Sequence, residues 1–309
     1  MMEEKKINVG GQAVIEGVLI RGPKAYAIAV RKGKNIVTKH GIASKEKNKA
    51  LKLPLVRGAV NLGEMLVIGI KALMWSAEQA SPEEEKPGKN ELALTLLLSL
   101  GLVVIFFIAL PYFLTNLIGL TEEHKPVLFN IVDGIIRIAI FLVYLFIISF
   151  MSDVKKLFEY HGAEHKAIHC YEKGRKLDVE NVKKFTTLHP RCGTSFLLIV
   201  FIVSILVFSL LPSFIIWQLP NFAFYNFWTR KMLLFAARIL LLPVVAGISY
   251  EILKYSDKKQ GNIMFRIISM PGLALQKITT KEPSYRQIEV AIASLKKLIE
   301  VEGKKTIKN

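Results

Sequence analysis

Four apolar runs, each longer than 20 residues, dominate the pattern of hydrophobic and polar positions along the chain. At about 1.5 Å of rise per residue, each run as a helix covers the roughly 30 Å of hydrocarbon in a bilayer. The pattern therefore predicts an α-helical membrane protein with about four transmembrane helices, in a membrane domain over residues 91–253. The predicted spans are 92–118, 126–151, 195–219 and 232–253.

A fifth run, residues 54–80, is apolar but carries a narrow polar stripe. Charged residues recur in it every seven positions, at Arg57, Glu64, Lys71 and Glu78, and so share one face of a helix. A span here would carry the 12 Lys and Arg of residues 1–52 across the membrane, against the positive-inside rule. We therefore expect residues 53–90 to form an amphipathic interfacial helix and a charged linker.

The positive charges predict the orientation of the spans. Outside the spans, 37 Lys and Arg lie in segments on one side, and 3 lie in two short loops on the other. The positive-inside rule then places both termini and the central loop in the cytosol. Because the charge lies outside the apolar runs, it indicates orientation in a membrane, and no specific nucleic acid is expected as a partner.

Residues 1–52 are predicted to form a small β-rich cytosolic unit. Residues 25–30 and 35–40 have the composition of strands, and a hairpin turn lies between them. The Gly-rich stretch 10–17 ahead of them is suited to tight turns or to close approach of the backbone to another element. Polar residues near this stretch that have the reach to contact a site are Gln12, Glu16 and Arg21, and simple turn chemistry is the alternative.

The last 56 residues, 254–309, are predicted to form a cytosolic amphipathic tail. Residues 263–277 are amphipathic and are expected to lie on the membrane, broken at Pro271. Further on, Ser284 and Gln287 have the spacing of a capping box at a helix start. The apolar stripe that follows predicts a helix that packs on the cytosolic unit.

The central cytosolic loop, residues 152–194, holds four of the six His and both Cys of the chain. His161 and His165 are four residues apart, so on a helix two imidazoles can bind one zinc ion at about 2.0–2.1 Å. Glu164 between them is a candidate general base, and the order H-x-x-E-H matches the inverted zincin pattern. His169 continues the spacing, so His165 and His169 form a rival pair.

A second segment of the loop offers further ligands through its His-x-x-Cys spacing. Four protein ligands would make a closed structural site, whereas three ligands and water would make a catalytic one. Glu251, at the inner end of the fourth span, is a candidate third ligand. Arg191 and the backbone N–H groups at the start of the third span offer an anion site instead. The predicted metal ligands are His161, His165, His189, Cys192 and Glu251, with zinc as the expected ion and iron as the alternative.

Besides Glu251, three charged residues lie inside the predicted spans. Asp133 and Arg137 are four apart on one helix and are expected to pair with each other, while Arg238 is expected to pair with a carboxylate or to extend outward. Intramembrane charges suit a small transporter, yet four spans with no visible repeat argue against a monomeric one. A homo-oligomer would remove that objection.

Several motifs along the chain jointly match one known family. The matching stretches are Gly10-Gly11-Gln12-Ala13-Val14-Ile15-Glu16-Gly17, Arg21-Gly22-Pro23, Tyr160-His161-Gly162-Ala163-Glu164-His165-Lys166 and His189-Pro190-Arg191-Cys192-Gly193-Thr194-Ser195-Phe196, with Val56-Arg57-Gly58, Ser249-Tyr250-Glu251 and Thr280-Lys281-Glu282-Pro283 as further positions. With these motifs the chain resembles the YqhQ-like bacterial membrane proteins, a family of unknown function often described as metal-dependent enzymes. The resemblance implies a bacterial inner-membrane protein with a shared site at these residues, and it implies no particular reaction.

These observations leave three hypotheses for the function. The first is a metal-dependent hydrolase at the cytosolic membrane surface, acting on lipid headgroups or membrane-proximal peptides. The second is a non-enzymatic membrane scaffold, held by a structural zinc, that binds a lipid, protein or RNA partner. The third is a small transporter that uses its intramembrane charges.

Overall fold

The computed structural model describes residues 7–43, 51, 53–81, 88–122, 124–219, 221, 224–258 and 263–306. Within these residues the chain is mostly helical, with one small N-terminal antiparallel sheet. This confirms the predicted fold class. Most of the expected charged linker, residues 82–87, lies outside the described residues.

The sheet has four antiparallel strands in the order β1-β2-β3-β4. The two predicted strands are confirmed as the β3–β4 hairpin, and the Gly-rich stretch forms a second hairpin, β1–β2, that the sequence did not predict. Glu16 makes the turn of that hairpin with a positive φ of 49°. The strands are β1 (Gly10–Val14), β2 (Gly17–Arg21), β3 (Ala25–Lys32) and β4 (Asn35–Ile42).

Helices cover both faces of the sheet because its strands are apolar on both sides. One face, including Val18 and Ala27, packs against α5 (Ser152–Glu172) and α10 (Tyr285–Thr306). The other face, including Leu19, packs against α1 (Val56–Ala80). A short helix, α6 (Val179–Val182), follows α5 in the central loop.

The C-terminal helix α10 forms as its sequence predicts. The backbone N–H of Ser284 donates to Gln287 Oε1 at 2.7 Å, and the N–H of Gln287 donates to Ser284 Oγ at 3.4 Å, which confirms the capping box. The predicted stripe is buried against α5 and the sheet, as Leu295 and Leu298 illustrate. At the far end, Glu302 Oε1 accepts two backbone N–H groups of the β2–β3 turn, each at 2.8 Å.

Within the part of the chain that the structure describes, five helical segments are long and apolar enough to cross a membrane, which indicates a multi-pass membrane protein. Four of them match the predicted spans. The first is formed by α2 (Lys89–Val104), a π-helical turn (Ile105–Ala109) and α3 (Leu110–Leu117). The others are α4 (Pro126–Ile148), α7 (Gly193–Gln218) and α8 (Phe227–Lys258).

Helix α1 is the fifth such segment. Its Ile68 and Ala72 pack on the sheet, and its first turn approaches α8, where a Cβ on Gly58 would lie 2.7 Å from Tyr250 Cβ. The sheet carries exposed polar residues on β4 and joins the loop helix α5. By length and composition α1 could also cross a membrane, so its interfacial position stays a prediction.

The tail differs from the prediction at Pro271. Helix α9 (Ile263–Thr279) runs through this proline without a break. The next residue, Gly272, lies against the start of α7, where a Cβ would meet Ser195 Oγ at 2.5 Å. Tertiary contact of this kind holds a helix together across one missing backbone hydrogen bond.

The charged residues within the spans pair as expected. Arg137 donates to Asp133 at 2.7 Å, and Arg238 donates to Glu122 at 2.5 Å and to Asn130 at 2.9 Å. Pairing lowers the free-energy cost of placing these charges in an apolar environment.

Candidate metal centre

Three candidate ligands meet between the central loop and the start of α7. His161 and His165 lie one turn apart on α5, with ring centroids 4.4 Å apart. Cys192 is the N-cap residue of α7, and its sulfur lies next to His161 of α5. The ligand atoms of the three residues all lie within 4.8 Å of one another. The structure therefore brings together three of the five predicted ligands.

Backbone carbonyl groups orient both imidazole rings. Nδ1 of His161 donates to the carbonyl oxygen of Thr279 at 2.8 Å, and Nδ1 of His165 donates to that of Thr187. A carbonyl oxygen only accepts, so each ring carries a proton on Nδ1. The lone pair of a neutral ring is then on Nε2, which in His161 lies 3.2 Å from the Cys192 sulfur. Histidines that bind metals are held in this way by a hydrogen bond from the second nitrogen.

Gly162 allows α5 to approach the segments that hold these rings. A Cβ at this position would lie 2.1 Å from the carbonyl oxygen of Lys281 and 3.2 Å from Thr187 Cγ2. The absence of a side chain therefore brings the helix against both the tail and the loop. This contact explains a glycine that weakens the helix by itself.

Cys192 lies in a polar setting at the beginning of α7. Its Sγ lies 3.2 Å from His161 Nε2, 3.1 Å from Thr194 Oγ1 and 3.4 Å from the N–H of Thr194. Burial by itself would raise the pKa of the thiol, but His165 and Thr194 outweigh it, and the pKa lies below its ordinary value. A lowered pKa favours the thiolate, which is the form that binds metals.

Glu164 lies buried beside the three candidate ligands. Its Oε1 accepts the backbone N–H of Gly11, and its Oε2 has no hydrogen-bond partner among the described residues. Burial, the largest cause, raises the pKa of this carboxyl group to about 8, and the charge of Cys192 adds to the rise. Strand β1 thus covers the site, and a buried oxygen without a partner is consistent with a bound group that completes it.

The other N-terminal candidates do not belong to the group of three ligands. Gln12 lies against α1, where a Cβ on Gly69 would meet its Oε1 at 2.7 Å. Glu16 accepts from the Tyr160 hydroxyl at 3.1 Å, and Arg21 pairs with Glu64 at 2.5 Å. These contacts join the sheet to α5 and α1.

His169, Glu172 and His189 form a second group with ligand atoms within 4.8 Å of one another. Its side chains bond to one another and to the backbone of the loop. His189 Nδ1 accepts the N–H of Arg191 at 3.2 Å, and its Nε2 lies 3.4 Å from Glu172, which also pairs with Arg191. His169 Nε2 donates to the carbonyl oxygen of Leu188 at 2.8 Å. His189 is therefore engaged elsewhere, and the four-ligand set with His161, His165 and Cys192 is not brought together.

Glu251 also lies outside the group of three. Its carboxylate accepts two hydrogen bonds from Arg57, at 2.7 Å from Nε and 2.5 Å from Nη2. This pair joins α8 to the first turn of α1. Sequence analysis placed Arg57 in the polar stripe and Glu251 among the candidate ligands. The sequence did not indicate that these two residues form an ion pair with each other.

A cavity of about 1640 Å³ opens beside the three ligands. His161 and Cys192 lie in its wall, together with Arg191 and the Gly-rich strand β1. Glu164 lies behind Gly11, whose Cβ position is 3.0 Å from Glu164 Oε1. One side of the ligand group is therefore accessible from the cavity.

Comparison with known proteins agrees with the motif resemblance. Residues 53–301 match the sequence profile of a family described as "Protein of unknown function (DUF1385)". The chain is 33% identical over 311 residues to the "Uncharacterized protein YqhQ" of Bacillus subtilis (strain 168), covering 95% of this chain and 93% of that protein. No solved structure matches the chain. The chain therefore belongs to the DUF1385 family, whose function is unknown, and it is a homologue of YqhQ.

Proposed function

We propose that this protein is a metal-dependent membrane hydrolase that holds zinc through His161, His165 and Cys192. The observation that carries the proposal is the orientation of the two imidazoles. Each donates Nδ1–H to a backbone carbonyl, which leaves both Nε2 lone pairs beside the Cys192 sulfur. Two imidazoles and one thiol form a donor set that suits zinc, with iron as the alternative.

The accessible side of the group favours a catalytic site over a structural one. Structural zinc sites are closed by four protein ligands, whereas catalytic sites have three and leave one position open. Here three ligands meet, and His161 and Cys192 face the cavity. His189, the candidate for a fourth ligand, is engaged with Glu172 and Arg191.

Each residue of the site has a proposed task. A zinc ion here would polarise a substrate oxygen and lower the pKa of water. The carbonyl groups of Thr187 and Thr279 keep the two imidazoles in position, which preserves the arrangement during turnover. Glu164 is the candidate to accept and return a proton, since its Oε2 has no partner among the described residues.

The site also has a proposed location relative to the membrane. With both termini in the cytosol, the inner ends of α4 and α7 and the unit formed by the sheet, α5 and α10 lie on the cytosolic side. Substrates that reach this place are lipid headgroups or membrane-proximal peptides. The bacterial inner membrane is the proposed location.

Two single substitutions test the open site against a closed structural one. In detergent-purified protein, Cys192→Ser is expected to lose zinc, because the thiolate ligand is removed, while His189→Ala is expected to keep it. Metal content is measured by mass spectrometry, with circular dichroism as the control for folding. If His189→Ala releases as much zinc as Cys192→Ser and the protein unfolds, the site is structural and the scaffold hypothesis replaces this proposal.

A further inference from the structure

The large cavity beside the His/His/Cys group has walls of two different kinds. Toward the predicted spans the walls are apolar, and next to the metal ligands they are polar and cationic. We propose that this cavity holds the hydrocarbon chain of an anionic membrane lipid and brings its headgroup to the His/His/Cys group. The inference rests on the proposed function, because it names the substrate class of the same site.

The apolar walls come from helices that would contact the bilayer. Phe141 and Leu145 lie near the C-terminal end of α4, and Phe196 and Leu197 lie near the N-terminal end of α7. In the predicted orientation both places are cytosolic ends of spans. Hydrocarbon chains of the inner leaflet reach this depth, so a lipid enters the cavity without leaving the membrane.

Helix α1 supplies the opposite apolar wall. Its Leu66, Ile70 and Leu73 line the cavity and are each more than two-fifths exposed. Exposed apolar side chains in a row mark a surface that binds another apolar group. These walls are made of side chains on helices whose backbone groups already pair internally, so they offer an extended peptide no backbone partners. These helical walls therefore suit a hydrocarbon chain. Because the edge strand β1 also lines the cavity, an extended peptide is the competing occupant that the experiment has to exclude.

The charged side chains in the cavity lining are all basic. Among the described residues that line it, the charged ones are Arg21, Lys24, Arg191 and Lys254, and none is acidic. Arg21 and Arg191 are paired with Glu64 and Glu172, which do not face the cavity. Charge complementarity with this basic lining favours an anionic headgroup over a zwitterionic one.

The size of the cavity also fits a lipid. Its volume of about 1640 Å³ exceeds the roughly 300–1,000 Å³ of pockets that hold drug-sized ligands. The two ends together match an amphiphile, with the chain between α1 and the inner ends of α4 and α7 and the headgroup at His161 and Cys192.

Photolabelling of the full chain in lipid nanodiscs tests this proposal. One sample contains phosphatidylglycerol and the other phosphatidylcholine, each with a trace of the same lipid carrying a diazirine at the chain end. After irradiation, mass spectrometry maps the labelled peptides. We expect labelling of the cavity-lining parts of α1 and α7, several-fold stronger with the anionic lipid.

Two pairs of variants make the test specific. Ile70→Trp fills the cavity and is expected to reduce this labelling several-fold, whereas Met74→Trp, at an exposed α1 position outside the cavity lining, is the matched control. Lys24→Gln with Lys254→Gln is expected to abolish the preference for the anionic lipid. Lys32→Gln, at an exposed strand end, controls for the loss of a positive charge.

Equal labelling of Ile70→Trp and Met74→Trp would overturn the proposal, since the lipid would then touch only the outer surface. Displacement of the label by a short apolar peptide as effectively as by unlabelled lipid would also overturn it and would point to a peptide substrate. The readout needs no metal, so a His161→Ala/His165→Ala variant should still be labelled. Zinc content of the same Ile70→Trp sample separates failure of the lipid site from failure of the metal site.

Discussion

Replacing Gly162 with alanine tests how α5 is held against the tail and the loop. The added methyl group would lie 2.1 Å from the carbonyl oxygen of Lys281. This oxygen belongs to the backbone, so it cannot rotate away as a flexible side chain would. The same methyl group would press on Thr187, whose own carbonyl holds the ring of His165.

The expected loss of stability follows from two opposing terms. An alanine is better than a glycine inside a helix by about 1 kcal/mol. An extra methyl group in a packed site costs about 1–3 kcal/mol, and the upper end applies because the clash is with backbone. The net change is a loss of about 2 kcal/mol, which lowers the melting temperature by about 3 °C in a chain of this size.

The assay is thermal unfolding of detergent-purified protein, with zinc content measured on the same samples. We expect Gly162→Ala to melt lower and to hold less zinc, because the carbonyl groups that orient both imidazoles move. Gly63→Ala is the matched control, since no heavy atom lies within 4 Å of its Cβ position. If Gly162→Ala melts at or above the wild-type temperature, the close approach of α5 to Lys281 is refuted.

Three further substitutions probe contacts outside the ligand group, each by thermal unfolding and zinc content. Glu302→Ala removes the acceptor of two charge-assisted hydrogen bonds at the β2–β3 turn and should destabilise the fold by about 3 kcal/mol; an unchanged melting temperature would contradict this contact. Glu251→Gln should leave zinc content unchanged, because its carboxylate binds Arg57, and zinc loss would restore Glu251 as a ligand. Glu122→Gln leaves the partly buried Arg238 without its carboxylate and should destabilise the protein by about 3–5 kcal/mol at unchanged zinc content, whereas a normal melting temperature would show that this pair is dispensable.

The apolar runs were sufficient to predict the four long helices, because helix rise and bilayer thickness fix the required length. Two parts of the fold were beyond such patterns. The turn of the β1–β2 hairpin includes Glu16, which has a positive φ. This conformation is uncommon for glutamate, so the sequence did not predict a turn there. Pro271 led us to predict a break in the tail, but helix α9 is continuous there. The sequence does not show that Gly272 packs against Ser195 of α7 at this point.

Some features of the candidate site were likewise predictable from the sequence, and others were not. The four-residue spacing of His161 and His165 predicted that they share a helix face, and the structure has them on α5. The engagement of His189 with Glu172 depends on the path of the loop, which spacing in sequence does not define. The backbone carbonyl groups that orient the two imidazoles could not be predicted from the sequence, because every residue has a carbonyl group.

The metal content of the purified protein tests the central claim most directly. The chain is purified in detergent without chelators, beside a His161→Ala/His165→Ala variant whose folding is checked by circular dichroism. We predict about one zinc or iron per chain in the wild type, as one set of three ligands implies, and loss of that metal in a folded double variant. Absence of metal from the wild type, even after reloading with zinc, would contradict the proposal of a metal-dependent enzyme.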